Sequence, residues 1–280
     1  MKKILLVSGC SYGDKMFTSA HHPDIDCSWP KWPELLADKL NMECINLCRC
    51  GAGQEYIYSS IIDKLQTIDH SKIGLVIAAW STAPRRDYQN GNLNKTYKKY
   101  FQQNSNKRWS NDMVDSRGDM EYWIDRSLRY QYSFQTVCEH LNLPYKQIQM
   151  VHLFTGFLIQ SILHKKIIAK NDPEGPYNKL THTFDQLKFS QYIHHKDLQM
   201  AEFEKEWKNK KHNELIQYIH HSPYYEKINS NFIGWPTDKR LGGISMNNIF
   251  TPDEKISPID WHPNQKGQIK ITEYIYDRLG

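Results

Sequence analysis

The sequence has no long apolar run. Stretches such as IGLVIAAW at residues 73–80 are short, and none approaches the ~18 apolar residues of a membrane span. The apolar segment at 4–7, behind Lys2 and Lys3, is also too short for the core of a secretory signal. Both absences point to a soluble, cytoplasmic protein with no membrane among its partners. A surplus of one charge sign is missing too. The chain has 36 Lys and Arg against 31 Asp and Glu, a net +5 with the signs interspersed, so its pull on acidic partners is weak. The six cysteines are too few, in 280 residues, for a disulfide framework. Cys44, Cys48 and Cys50 cluster, but their C-x3-C-x-C spacing lacks the paired C-x2-C knuckles of structural zinc. Buried reduced thiols are expected there, with no metal and no cofactor. The histidine pairs at 21–22, 194–195 and 220–221 have no carboxylate partner at i+4 spacing on a clean helical face and are read as solvent-exposed. There is no internal repeat and no low-complexity tail.

Hydrophobic residues make up 39% of the chain, enough to bury the core of one large domain or of a domain with a sizeable insertion. Tyrosine and tryptophan supply much of that area and suit a cleft for a partly polar ligand. Residues 3–8 form a continuous apolar run, as a strand buried on both faces requires. WPKWPELLADKL at 29–40 places Trp32, Leu35, Leu36 and Leu40 at helical spacing, with its prolines near the start. A short strand is expected at 43–47, then a helix from Gln54 with Ile57, Ile61, Leu65 and Ile68 in one stripe. IGLVIAAW is a third buried strand. Strand and helix in strict alternation imply right-handed crossovers and a parallel sheet, an α/β class.

Residues 87–118 show no period and read as a surface excursion. A long helix over 120–143 leads to Pro144 and a fourth strand at 145–151. Residues 153–250 are strongly polar and mainly helical, and read as an insertion or cap over one end of the sheet. The final helix at 264–279 carries Ile271, Tyr274, Ile275 and Leu279 on one face. The expected division is a core of 1–152 and 251–280 with a helical insertion or cap at 153–250.

Ligands of open parallel sheets bind beyond the carboxyl ends of the strands. Ser11 stands there after the first strand, Gly51 after the second, and Ser81 and Thr82 after the third. SPIDWHPNQKG adds Asp260 and His262 just before the last helix. A serine hydroxyl is a poor nucleophile until an imidazole takes its proton, and the imidazole needs a carboxylate to fix its tautomer. Gly51 allows close backbone approach to a developing oxyanion, and the Ser11 N–H is a second candidate donor. Pro263 stiffens the loop that carries the base.

These segments resemble the SGNH/GDSL hydrolases, in the branch whose first block reads G-C-S. The matching residues are SGCSYGD (Ser11), NLCRCGAG (Asn46 and Gly51), VIAAWST for the third block and DWHPNQKG for the last. Four blocks in the right order cover about the first 90 and last 30 residues. The resemblance implies a flavodoxin-like three-layer fold with a parallel sheet and a large helical cap. It also implies an esterase with Ser11 as nucleophile, His262 as base and Asp260 as its orienting acid. Ser11, Gly51 and Thr82 would form the oxyanion hole, with Tyr12, Gln54, Trp80, Ser81 and Arg85 lining the substrate. The expected substrate is an O-acyl ester on a carbohydrate or another small polar molecule.

Two departures from the family pattern stand out. Its third block usually supplies an asparagine donor, where this chain has Thr82 or Ser81, and Arg85 or Gln54 could substitute. Its usual D-x-x-H is shortened to D-x-H, which in extended backbone still puts both side chains on one side. Acyl transfer to a hydroxyl acceptor is the alternative if the cap excludes water. A binding protein that keeps the scaffold, for carbohydrate or nucleic acid, is another. The stretches at 94–109 and 163–170 offer aromatic and basic side chains for nucleic acid, but no recognised nucleic-acid module is present.

Overall fold

The first strand, β1 (Ile4–Ser8), is buried along its whole length, as its unbroken apolar run requires. In the computed structural model the chain is described at residues 2–83, 85–89, 100–103, 120–151, 213–214, 216–236 and 243–279. Helix α1 (Trp32–Lys39) and strand β2 (Glu43–Asn46) follow, then helix α2 (Gln54–Leu65) and strand β3 (Ile73–Trp80). After them come β4 (Arg86–Gln89), β5 (Tyr100–Gln103), helix α3 (Met120–His140) and β6 (Tyr145–Gln149). The two-residue β7 (Phe232–Ile233) and helix α4 (Gln265–Tyr276) complete the order.

Five strands form one sheet in the order β2-β1-β3-β6-β7, and every neighbouring pair is parallel. Strand parity divides the core between its faces. Leu6, Val76, Ala78 and Trp80 pack against Ile57, Ile61 and Leu65 of α2 and Ile124, Leu128 and Phe134 of α3. Leu5, Val7, Leu75, Ile77 and Ala79 pack against Trp32 and Leu36 of α1 and Ile271 and Ile275 of α4. Helices therefore cover both faces. Among the described residues no helix is long and apolar enough to cross a membrane.

Two expectations about organisation need correction. The segment read as a surface excursion contains a hairpin. Arg86 to Gln89 pair antiparallel with Tyr100 to Gln103, and Asp87 accepts from the Gly53 and Tyr56 N–H groups at 2.8 Å each. Asp87 thus caps the start of α2 from outside, where Gly53 offers no side chain of its own. The boundary of the expected cap also moves. Phe232 and Ile233 add the fifth strand beside Gln147 and Ile148. Ile219, Ile228 and Met246 are buried in the core clusters. The polar average of the stretch hid these few anchors. Of the expected cap, 153–212, 215 and 237–242 lie outside the described residues.

The two ends of the chain are joined by one buried amide. Gln268 on α4 accepts from Trp32 N–H at 2.9 Å and donates to the Tyr12 carbonyl at 3.0 Å. Trp32 opens α1, so the amide satisfies an N–H that has no partner within the helix. The Thr272 hydroxyl lies 3.5 Å from the Trp32 carbonyl, and Lys39 pairs with Glu273 at the outer edge. Gln268→Leu keeps the size but leaves a buried donor and a buried acceptor unpaired. It should lower unfolding stability by about 2–4 kcal/mol in urea titration; an unchanged midpoint would mean that the junction is not built this way.

Candidate active site

The turn after β1 is fixed by its neighbours on every side. Gly13 N–H closes onto the Cys10 carbonyl at 3.1 Å, and Arg49 N–H donates to the Gly9 carbonyl at 3.0 Å. Asn46 donates to the Gly13 carbonyl at 2.7 Å and accepts from Cys48 N–H at 2.9 Å. Asp14 accepts from Cys50 N–H at 2.6 Å and from Met16 N–H at 2.8 Å. The loops after β1 and β2 are therefore stitched together by two side chains. Gly9 and Gly13 make room for the Cys48 thiol: an added Cβ would lie 3.1 Å from its sulfur at Gly9 and 2.7 Å at Gly13.

Ser11 stands on this turn, 5% exposed. His262 Nε2 lies 2.9 Å from Ser11 Oγ, and His262 Nδ1 lies 2.5 Å from Asp260 Oδ1. With the ring proton on Nδ1 directed to the carboxylate, Nε2 is left to accept the Ser11 hydroxyl proton. The shortened D-x-H spacing has a local cause. Asp260 Oδ1 also accepts from the His262 backbone N–H, at 3.1 Å, so one carboxylate oxygen holds both backbone and ring. The loop is anchored by Ile256 N–H donating to the His262 carbonyl at 2.9 Å and by the Asn264 cap on α4. Phe17 packs on the imidazole with centroids 4.3 Å apart, and Tyr12 meets it edge-on at 5.4 Å.

Asp260 is buried. Burial alone would push its carboxyl upward, but hydrogen bonds from His262 and Ser19 and the charge of His262 outweigh it. They hold the group well below the usual carboxylate range. Ser19 Oγ donates to Asp260 Oδ2 at 2.5 Å. Sequence reading missed Ser19, which sits in a loop with neither period nor motif.

The oxyanion candidates are placed as follows. Gly51 has φ +83°, a left-handed conformation that favours glycine. Among the described residues, neither the Ser11 nor the Gly51 N–H has a protein acceptor. Thr82 is half-buried, and the Ser81 hydroxyl is committed to the Ala52 carbonyl at 2.7 Å.

Of the expected substrate-lining residues, Trp80 needs correction, and the others are placed as follows. Trp80 is fully buried on the α2–α3 face, donates to Gln147 Oε1 at 2.8 Å and packs edge-on against Phe134. Tyr12 is buried, and its hydroxyl donates to Asn247 Oδ1 at 2.9 Å; burial raises the phenol far above its ordinary pKa. Gln54 is buried and donates to the Ser81 carbonyl at 2.8 Å. Tyr12, Gln54 and Ser81 thus each spend a polar donor on a neighbouring protein group. Arg85 is half-buried and reaches the Ala52 carbonyl at 3.3 Å from the loop that carries Gly51. Two smaller expectations also shift. Cys50 is exposed, whereas burial pushes the Cys44 thiol up to about 12. His22 is not simply solvated: its Nε2 lies 2.7 Å from Ser257 Oγ. His220 and His221 are exposed, and 194–195 lie outside the described residues.

No family model matches the chain, and no curated protein matches it.

The depressed Asp260 carboxyl links stability to pH. Its contribution is full above the unfolded-state carboxylate pKa of about 4 and is lost as pH falls through the lower folded value. The stability gap between the natural protein and Asp260→Asn should therefore be present at about pH 5 and narrow as pH falls below about 4. Urea midpoints between about pH 5 and 2 measure it, and a gap that stays constant or grows below about pH 4 would contradict the assignment.

Proposed function

We propose that the protein is a serine hydrolase of SGNH/GDSL type that cleaves an ester, an O-acyl group on a carbohydrate or another small polar molecule. The observation that carries this reading is the unbroken chain Ser11 Oγ, His262 Nε2, His262 Nδ1, Asp260 Oδ1, with steps of 2.9 and 2.5 Å between side chains. The sheet supports it. Taken along the five-stranded sheet, β2-β1-β3-β6-β7 is a 2-1-3-4-5 order, the flavodoxin-like arrangement, and its direction reverses between β1 and β3. Ser11 follows β1 at that switch point.

The reaction follows from the geometry. Ser11 Oγ attacks the ester carbonyl as its proton passes to His262 Nε2, and the carbonyl oxygen takes the electron pair. The Ser11 and Gly51 N–H groups, joined by the Thr82 hydroxyl, receive that oxyanion. Collapse breaks the ester C–O bond, and His262 returns the proton to the leaving alcohol. Water then repeats the sequence on the acyl-enzyme. Asp260 stays ionised throughout, holding the proton on Nδ1. Thr82 in place of an asparagine favours a second reading, a binding protein on the same scaffold, because a missing oxyanion donor costs about 10²–10³ in rate.

A fluorophosphonate probe separates the two. Labelling is expected at Ser11, to vanish in Ser11→Ala, and to slow by at least about 10³-fold in His262→Ala. Unchanged labelling of Ser11→Ala would remove Ser11 as the nucleophile, and no labelling at all would favour the binding protein.

A further inference from the structure

The segment between Ser11 and α1 meets the site through Tyr12 and Phe17 on the His262 ring and through Ser19, whose hydrogen bonds have a fixed direction. Ser19 is 2% exposed. Its Oγ accepts from the His21 and His22 backbone N–H groups at 3.2 and 2.9 Å. A hydroxyl has two acceptor sites and one proton. With both acceptor sites filled, the proton is left for Asp260 Oδ2 at 2.5 Å. Ser257 repeats the logic on the opposite strap. It accepts from Ile259 and Asp260 N–H at 3.2 and 3.0 Å, which leaves its proton for His22 Nε2 at 2.7 Å. The two serines therefore fasten the 14–31 segment to the acid loop in one register.

We propose that Ser19 is a positioning residue for the reaction, a fourth member of the chain that runs from Ser11 through His262 to Asp260. Asp260 Oδ1 serves the ring and backbone N–H of His262, and Ser19 occupies Oδ2, so the carboxylate is held against rotation. The donated proton also draws charge from the carboxylate and tempers its pull on the imidazole. The inference rests on the hydrolase reading for its effect on rate, but not for its effect on the Asp260–His262 hydrogen bond.

The test compares the natural protein with Ser19→Ala and Ser19→Thr in the full chain. One readout is kcat/KM for p-nitrophenyl acetate across pH. The other is the downfield proton resonance of His262 Nδ1–H, assigned by its loss in His262→Ala. Ser19→Ala is expected to lower kcat/KM about tenfold or more, as loss of a hydrogen bond to a charged group does. Its acid limb should move to higher pH, because the unshared carboxylate holds the imidazolium proton more firmly. The resonance should move with it, and Ser19→Thr should restore all three. If Ser19→Ala does not fold, Ser19→Cys, close in size with a weaker donor, must shift the same readouts in the same directions. An unmoved resonance, or an unmoved acid limb with kcat/KM within twofold, overturns the proposal. Absence of turnover in the natural protein with a resonance that responds to Ser19 would sink the hydrolase reading and leave the Ser19–Asp260 assignment standing.

Discussion

The site depends on two groups 251 residues apart being brought to one hydrogen bond, Ser11 Oγ to His262 Nε2. Neither loop could hold that separation alone. It is set by α4 packing on α1 over one face of the sheet, and by Gln268 tying α4 both to the start of α1 and to the turn that carries Ser11. The apolar contacts place the helix to within about a side chain's width, and the buried amide fixes its rotation and register. Hydrophobic burial is non-directional and cannot do the second task; a hydrogen bond left unmade in the core would be costly, and so it can.

The same division of labour recurs at the carboxyl edge of the sheet. Asp14, Asp87 and Asp260 each turn a carboxylate toward backbone N–H groups of a neighbouring segment or of their own loop. Each carboxylate stitches or caps a loop that has no regular ladder to satisfy its amides. The result is a set of buried polar groups, Tyr12, Gln54 and Ser81 among them, around the loops that carry Ser11 and His262, with Phe17 and Tyr12 packed on the imidazole. Preorganisation of that kind suits the proposed acyl chemistry, since donors that are already oriented lose nothing by reorganising when charge develops.

Much of this was legible in the sequence because it depends on periodicity. β1 and β3 are continuous apolar runs, and α2 and α4 have clean stripes. β7 was not legible, since two residues carry no period and sit in a polar stretch. The hairpin of β4 and β5 was missed because its strands are four residues each and lack alternation. The hydrogen-bonded set Ser11, His262 and Asp260 was legible as an order of residue types. Its D-x-H spacing looked anomalous until the structure gave Asp260 Oδ1 both the ring and the backbone N–H. Trp80 was misassigned although strand parity was available: it shares a face with Val76 and Ala78, and that face is covered by α2 and α3. Ser19 left no sequence signal, because its role comes from three hydrogen bonds that only the folded loop brings together.

The central claim is tested most directly by nitrogen NMR of the histidine rings in the folded protein, which needs no substrate. In the neutral ring of His262 the proton should reside on Nδ1, with Nε2 unprotonated and accepting from Ser11. Replacing Ser11 by alanine should move the Nε2 resonance and leave the rings of His220 and His221 as they were. An Nε2 signal indifferent to that replacement, or a neutral ring protonated on Nε2, would mean that the two side chains share no proton.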